Sequence, residues 1–170
     1  MTFVSLVSPA IFRPSSAPRA IAVALAVIGI AWAILIVIAP LQLRSEHAVL
    51  GTAVYAAGSV VCHQQPERSF HLGGVRMPVC ARCTGLYIAG AAGLLAGWLG
   101  GAREPRRARA LFVASLLPVA LSVAVEWAGL AAPSNGVRAA TGLPAGAVAG
   151  WLISRMLRSA GHVLRYHHLS

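Results

Sequence analysis

Residues 20–41, AIAVALAVIGIAWAILIVIAPL, carry no charged side chain. The stretch has the ~20 apolar residues that an α-helix needs to cross the hydrocarbon core of a bilayer. A cleaved signal peptide would have a shorter apolar region, of about 7–15 residues, and small residues at a clear cleavage site. The stretch therefore reads as an uncleaved anchor. The rest of the chain has the same character: its 170 residues are 58% hydrophobic and 11% charged, with only four acids, and the mean hydropathy is +0.74. Such a composition does not describe a water-soluble globule. The fold class expected is all-α, a polytopic helical membrane bundle with four to five transmembrane segments, and the first partner expected is the lipid bilayer.

Outward from this span, residues 1–19 contain Pro9, Pro14 and Pro18 and read as an irregular N-terminal segment. Residues 20–157 form the integral membrane domain, and 158–170 a basic C-terminal tail. Spans are expected at about 20–41, 47–62, 83–101, 110–130 and 139–157. The run 47–62 is short and contains Gly51 and Gly58, so it either spans or re-enters. Small residues recur every fourth position at Gly85, Ala89, Gly93, Gly97 and Gly101, and again at Gly142, Gly146 and Gly150. Residues four apart stack on one helix face, and a face without side chains lets two backbones approach closely. Packing within the bundle is the ordinary use of such a face, and dimerisation the other.

The formal net charge is +10, and every cation is an arginine. The arginines sit at the ends of apolar runs and form no interleaved basic and aromatic surface. They read as membrane topology, and no nucleic-acid partner is expected. If all five segments span, one face carries Arg44, Arg103, Arg106, Arg107, Arg109, Arg155, Arg158 and Arg165, and the other Arg13, Arg19, Arg68, Arg76, Arg82 and Arg138. The first group, with the dense turn GAREPRRARA, is expected on the cytoplasmic side of the membrane, together with the C-terminus.

The outward face then receives VVCHQQPERSFHLGGVRMPVCARCTGLY, residues 60–87, which holds all three cysteines. Cys80 and Cys83 form C-x-x-C at the start of a helical pattern, where the helix dipole and Arg82 favour thiolate over thiol. Cys62 and His63 arrive from the preceding apolar run. Three cysteines and a histidine match the ligands of a tetrahedral zinc site, so Cys62, His63, Cys80 and Cys83 are the metal candidates, zinc before iron or copper. His71 or a water is the alternative fourth ligand. The rival chemistry is thiol–disulfide exchange by the C-x-x-C, with Cys62 as a resolving thiol. Three cysteines leave one unpaired in any oxidised state, which ranks this second. Cys80, Cys83 and Glu126 are the catalytic candidates if the protein is an enzyme. Two crossings between Cys83 and Leu130 bring Glu126 and the connection AAPSNGVRAATG back to the cysteine face. An acid at the end of an apolar helix calls for a partner or water.

CHQQPERSF, MPVCARCTGLYIAG and SNGVRAATGLPAG together resemble the signature of a family of small prokaryotic multi-pass membrane proteins known as a domain of unknown function. The resemblance covers residues 62–146 and implies a helical membrane fold in a prokaryotic plasma (inner) membrane, with no activity attached. By position it marks Cys62, His63, Gln64, Pro66, Arg68, Ser69, Cys80, Arg82, Cys83, Thr84, Gly85, Asn135, Arg138, Thr141 and Gly142. The family pattern has an Asp in its second half, where this chain offers Glu126. Resemblance and topology together expect a polar cluster at one face. In it Arg68, Arg82 and Arg138 add positive charge, and Gln64, Ser69, Thr84, Asn135 and Thr141 add neutral hydrogen-bonding groups. Such a set orients metal ligands, or it holds an anionic lipid or small-molecule ligand without chemistry.

Overall fold

Among the described residues the chain folds into five α-helices and one short β-hairpin: α1 (Ala17–Gln42), α2 (Ala48–Val61), β1 (His71–Leu72), β2 (Val75–Arg76), α3 (Ala81–Leu99), α4 (Ala108–Trp127) and α5 (Asn135–Tyr166). The structure is a computed structural model that describes residues 17–44, 48–99 and 107–166. Residues 1–16 of the expected N-terminal segment lie outside the described residues, as do 100–106 and residues 167–170 of the expected tail. The backbone is helical at 17–19 and at 158–166.

The most extensive helix contact is between α3 and α5. Here the two small-residue repeats meet each other. Gly85 faces the carbonyl of Ala139 and Gly93 that of Ala147, while Gly146 faces the carbonyl of Leu86 and Gly150 that of Gly90. The partners advance together, so the helices run parallel, and they lie so close that a Cβ on any of these glycines would overlap the facing oxygen. Backbone approach of this kind is how membrane helices gain dispersion contact in a solvent that supplies no hydrophobic drive. α1 crosses α3 in the opposite sense: Trp32 meets Tyr87 edge-on at 5.9 Å, and Gly29 rests on Leu94.

α2 does not lead away from the cysteines. Near its start, Gly51 rests on the Ala39 carbonyl in the last turn of α1 and on Leu43 just beyond it. Directly after its end, Cys62 shares an apolar cluster with the same Ala39 and with Ile36, Val54 and Val79. Arg44, which follows α1, donates to the Gly73 carbonyl in the hairpin at 2.8 Å. Both ends of α2 therefore belong to the cysteine end of the bundle. This corrects the grouping of Arg44 with the opposite face. The reason is physical: 14 residues are too few for a span, and the buried glycines at 51 and 58 let α2 lie against α1 and the Pro78 segment.

Two described helices are long and apolar enough to cross a bilayer: Val23–Gln42 of α1, with hydropathy 2.7, and Ala108–Trp127, the whole of α4, with hydropathy 2.0. Only 28% and 11% of these segments are buried, so neither is the core helix of a soluble globule. Leu111, Phe112, Val113, Leu116, Leu117 and Leu121 of α4 are all exposed. In water that surface would be an adhesive patch, and in lipid it is an ordinary exterior. The count falls short of the four to five spans expected. α2 is too short, α3 is diluted by glycine and carries Arg82, and α5 carries Arg138, Arg155 and further glycines.

Candidate functional site

Two local devices bring Cys62 back beside Cys80. The first is a reversal at Gln64, whose φ of 50° lies in the left-handed region, an uncommon place for a non-glycine residue. Its side-chain amide donates to the Tyr55 carbonyl at 2.7 Å and to the Pro78 carbonyl at 2.8 Å, and its own carbonyl accepts from Arg76 at 2.6 Å. One residue thus ties the segment leaving Cys62 to the segment arriving at Cys80, and the Tyr55 hydroxyl adds a bond to the Arg76 carbonyl. The second device is the hairpin, in which His71 pairs with Arg76 and Leu72 with Val75. Gly73 and Gly74 between them have φ of 61° and 83°. Positive φ at both central positions is the type I′ turn that suits a two-residue hairpin. Cys80 then precedes α3 directly, and its carbonyl accepts from the Thr84 N–H at 2.9 Å and the Thr84 hydroxyl at 3.2 Å.

The sulfurs of Cys62, Cys80 and Cys83 all lie within 4.8 Å of one another. All three are free thiols, Cys62 buried and the other two half-buried, and the Cys80 N–H donates to the Cys62 sulfur at 3.2 Å. The Cys83 thiol beside Cys80 holds the Cys80 thiol well below the ordinary thiol range. Burial opposes this, while the Cys83 and Arg82 N–H groups and the Cys62 thiol assist. A thiolate so placed binds soft metals and attacks disulfides. Zinc–thiolate bonds of ~2.3 Å in a tetrahedron set sulfurs about 3.8 Å apart, so the observed cluster fits a three-thiolate site after movements of no more than about 1 Å. Neither His63 nor His71 joins the three sulfurs. His63 is exposed at the rim of the adjoining cavity, and His71 is exposed on the hairpin.

A second polar cluster surrounds Glu126 in the last turn of α4. Arg82 reaches its Oε2 at 2.6 Å, and Arg138 and Arg68 reach Oε1 at 2.8 Å and 3.2 Å. The Glu126 and Arg138 side chains are only 10% and 9% exposed. Parallel α3 and α5 with a returning α4 place two helix starts beside one helix end. Arg82 and Arg138 sit in first turns, where the macrodipole disfavours cations, and the carboxylate offsets this. Arg82 also bonds the Ser122 hydroxyl at 2.9 Å. Arg138 bonds Asn135 at 3.0 Å, and the Asn135 amide donates to the Ser69 carbonyl at 3.0 Å. Buried Ser69 closes its own turn on the Gln65 carbonyl at 2.9 Å.

Between the two clusters lies a cavity of about 350 Å³, lined by Val61, Cys62, His63, Gln64, Gln65, Arg68, Cys80, Arg82, Cys83, Trp127 and Arg138. Eight residues singled out in the sequence thus meet in one space, with Glu126 held by its three arginines. Ser69 and Asn135 brace the loop and Arg138 from outside it. Thr84 and Thr141 do not line it: each bonds a carbonyl within its own helix end, those of Cys80 and Arg138.

Residues 62–152 match the family model described as Predicted membrane protein (DUF2085), which covers more than half of the chain. The chain belongs to this family. The DUF2085 match begins at Cys62 and takes in Glu126 and every cavity residue except Val61. Uncharacterized protein MJ1492 of Methanocaldococcus jannaschii is 33% identical over 105 residues, covering 57% of this chain and 64% of that protein. An uncharacterized protein of Methanothermobacter thermautotrophicus is 33% identical over 86 residues, 51% of this chain and 78% of that protein. The chain therefore spans just under two thirds of the first relative's length. No solved structure matches it.

Sequence reasoning missed Ser122, Gln65, Tyr55 and Trp127. Ser122 had a signal, since it lies four residues before Glu126 and so on the same helix face. Tyr55 had none, because its hydroxyl acts on a loop 21 residues away in the chain.

Proposed function

We propose that this DUF2085 protein is a prokaryotic plasma-membrane protein that binds a transition metal, zinc first, on Cys62, Cys80 and Cys83. The observation that carries this reading is the set of three free sulfurs within 4.8 Å of one another at the start of α3. Thiolates select soft and borderline metals over magnesium or calcium. Cys62, Cys80 and Cys83 would hold the ion and leave it open to a further ligand, water or His63, and an open position is the mark of a catalytic rather than a purely structural ion. Each of Cys62→Ser, Cys80→Ser and Cys83→Ser is expected to reduce the metal from about one ion per chain to a small fraction of that and to lower stability with it. Full retention of the ion by the Cys62→Ser and Cys83→Ser proteins would reject coordination by three thiolates. The C-x-x-C at the start of α3, with all three thiols free, also supports the second reading, a membrane thiol–disulfide oxidoreductase.

The proposed topology has four crossings, α1, α3, α4 and α5, with α2 resting at the outward end beside the site. Parallel α3 and α5 with a returning α4 support it. Grouped this way, Arg44, Arg68, Arg76, Arg82 and Arg138 are outward, and Arg13, Arg19, Arg103, Arg106, Arg107, Arg109, Arg155, Arg158 and Arg165 are inward. The denser inward group is the one the positive-inside rule assigns to the cytoplasm. A reporter active only outside the cytoplasm is expected to be active after Arg76, and silent after Arg106 and at the N-terminus. Activity at the N-terminus would mean that α2 crosses after all.

A further inference from the structure

We propose that the cavity is also an anion site, which takes a phosphoryl group on Arg68, Arg82 and Arg138. Three guanidinium charges converge on one carboxylate, so the cluster carries an excess of positive charge. Arg82 makes all its bonds through Nη2, which leaves its Nη1 without a protein acceptor among the described residues. All three arginines line the cavity, and a charged donor at a cavity wall without a protein acceptor is open to an acceptor from a ligand.

The size and the wall both indicate the ligand class. A volume of about 350 Å³ lies in the range of small-molecule sites. The three arginines come from three different segments: the loop, α3 and α5. A planar carboxylate offers two oxygens, and Glu126 already uses both. A tetrahedral phosphoryl group offers acceptors in several directions to guanidiniums that approach from separate elements. Val61 and Trp127, both exposed, form the apolar part of the lining. Trp at a helix end is a side chain of the membrane–water interface. A phosphoryl group with an apolar flank is the chemistry of a phospholipid headgroup or of a small phosphate ester. None of the three sulfurs is needed for this binding, so it stands apart from the metal reading.

The test uses the full chain in nonionic detergent, with dihexanoyl-phosphatidylglycerol and inorganic phosphate as separate probes. The readout is the saturable rise in melting temperature that a ligand of the folded state produces, with metal content measured beside it. At least one probe is expected to saturate. Arg68, partly exposed and joined to Glu126 by its longest bond at 3.2 Å, is expected to tolerate Arg68→Gln, with binding weakened about ten-fold and metal content unchanged. Glu126→Gln removes the competing carboxylate. It is expected to melt lower without probe and to bind the probe about ten-fold more tightly. Saturation by the lipid alone assigns a headgroup, and saturation by inorganic phosphate assigns a soluble phosphate ester. If neither probe shifts the wild type, or if Arg68→Gln binds as tightly as wild type, the anion site is refuted, and the Arg68 comparison decides even if Glu126→Gln does not fold.

Discussion

Glu126→Ala is expected to lower stability by about 3 kcal/mol, read as a loss in thermal or denaturant melting of the protein in detergent. Removing one partner of a buried ion pair costs about 3–5 kcal/mol because the other charge is stranded, and here the adjoining cavity admits water and favours the lower end. Glu126 is the only carboxylate facing Arg68, Arg82 and Arg138 among the described residues, so its loss strands one buried cation, Arg138, and two partly buried ones. Arg138→Ala is expected to cost less, since two arginines still face the acid. Glu126→Ala combined with Arg138→Ala is expected to sit nearer wild type than Glu126→Ala alone, because the second change removes a stranded charge. A Glu126→Ala protein within about 0.5 kcal/mol of wild type, the range of ordinary surface changes, would mean that the carboxylate is solvated by headgroups and holds nothing together.

Gly146→Leu is expected to destabilise the protein by about 3 kcal/mol or more, or to prevent folding, since overpacking a close interface forces its backbones apart. A Cβ at 146 would overlap the Leu86 carbonyl of the neighbouring helix, and a backbone carbonyl cannot turn away as a flexible side chain can. Gly136 is the matched control. It lies in the first turn of the same helix, and a Cβ there would meet only the Ser134 hydroxyl at an ordinary 3.9 Å. Gly136→Ala is expected to be neutral or slightly stabilising, because alanine loses less backbone entropy in a helix. Equal tolerance at both positions would show that α3 and α5 do not pack through their glycines.

Residues 20–41 announce a helix of bilayer length because nothing in them needs water, and the cysteine stretch announces chemistry because so few polar residues occur elsewhere. Cys62, Cys80 and Cys83 could be gathered from spacing and from the return of the chain to one face. Glu126 with Arg138 followed from counting crossings, a count that does not depend on α2. What spacing could not supply is depth and direction. α2 is as apolar as a span but only 14 residues long, and the contacts of its glycines, with Ala39 and Leu43 at one end and Pro78 at the other, set both its ends, and Arg44 with them, beside the cysteines. His63 adjoins Cys62 in the chain, yet neighbouring side chains leave a backbone in different directions, and it points to the rim. The hydropathy of α3 and α5 understates their burial because their surface is spent on glycine, which signals close packing through what is missing.

Elemental analysis of the wild-type protein, purified in detergent without chelator and paired with a count of reduced thiols, tests the cysteine centre most directly. About one zinc-like ion per chain with all three cysteines reduced is the expected result. A metal-free protein that carries a disulfide among Cys62, Cys80 and Cys83 would contradict the metal centre and leave thiol–disulfide exchange as the chemistry of the site.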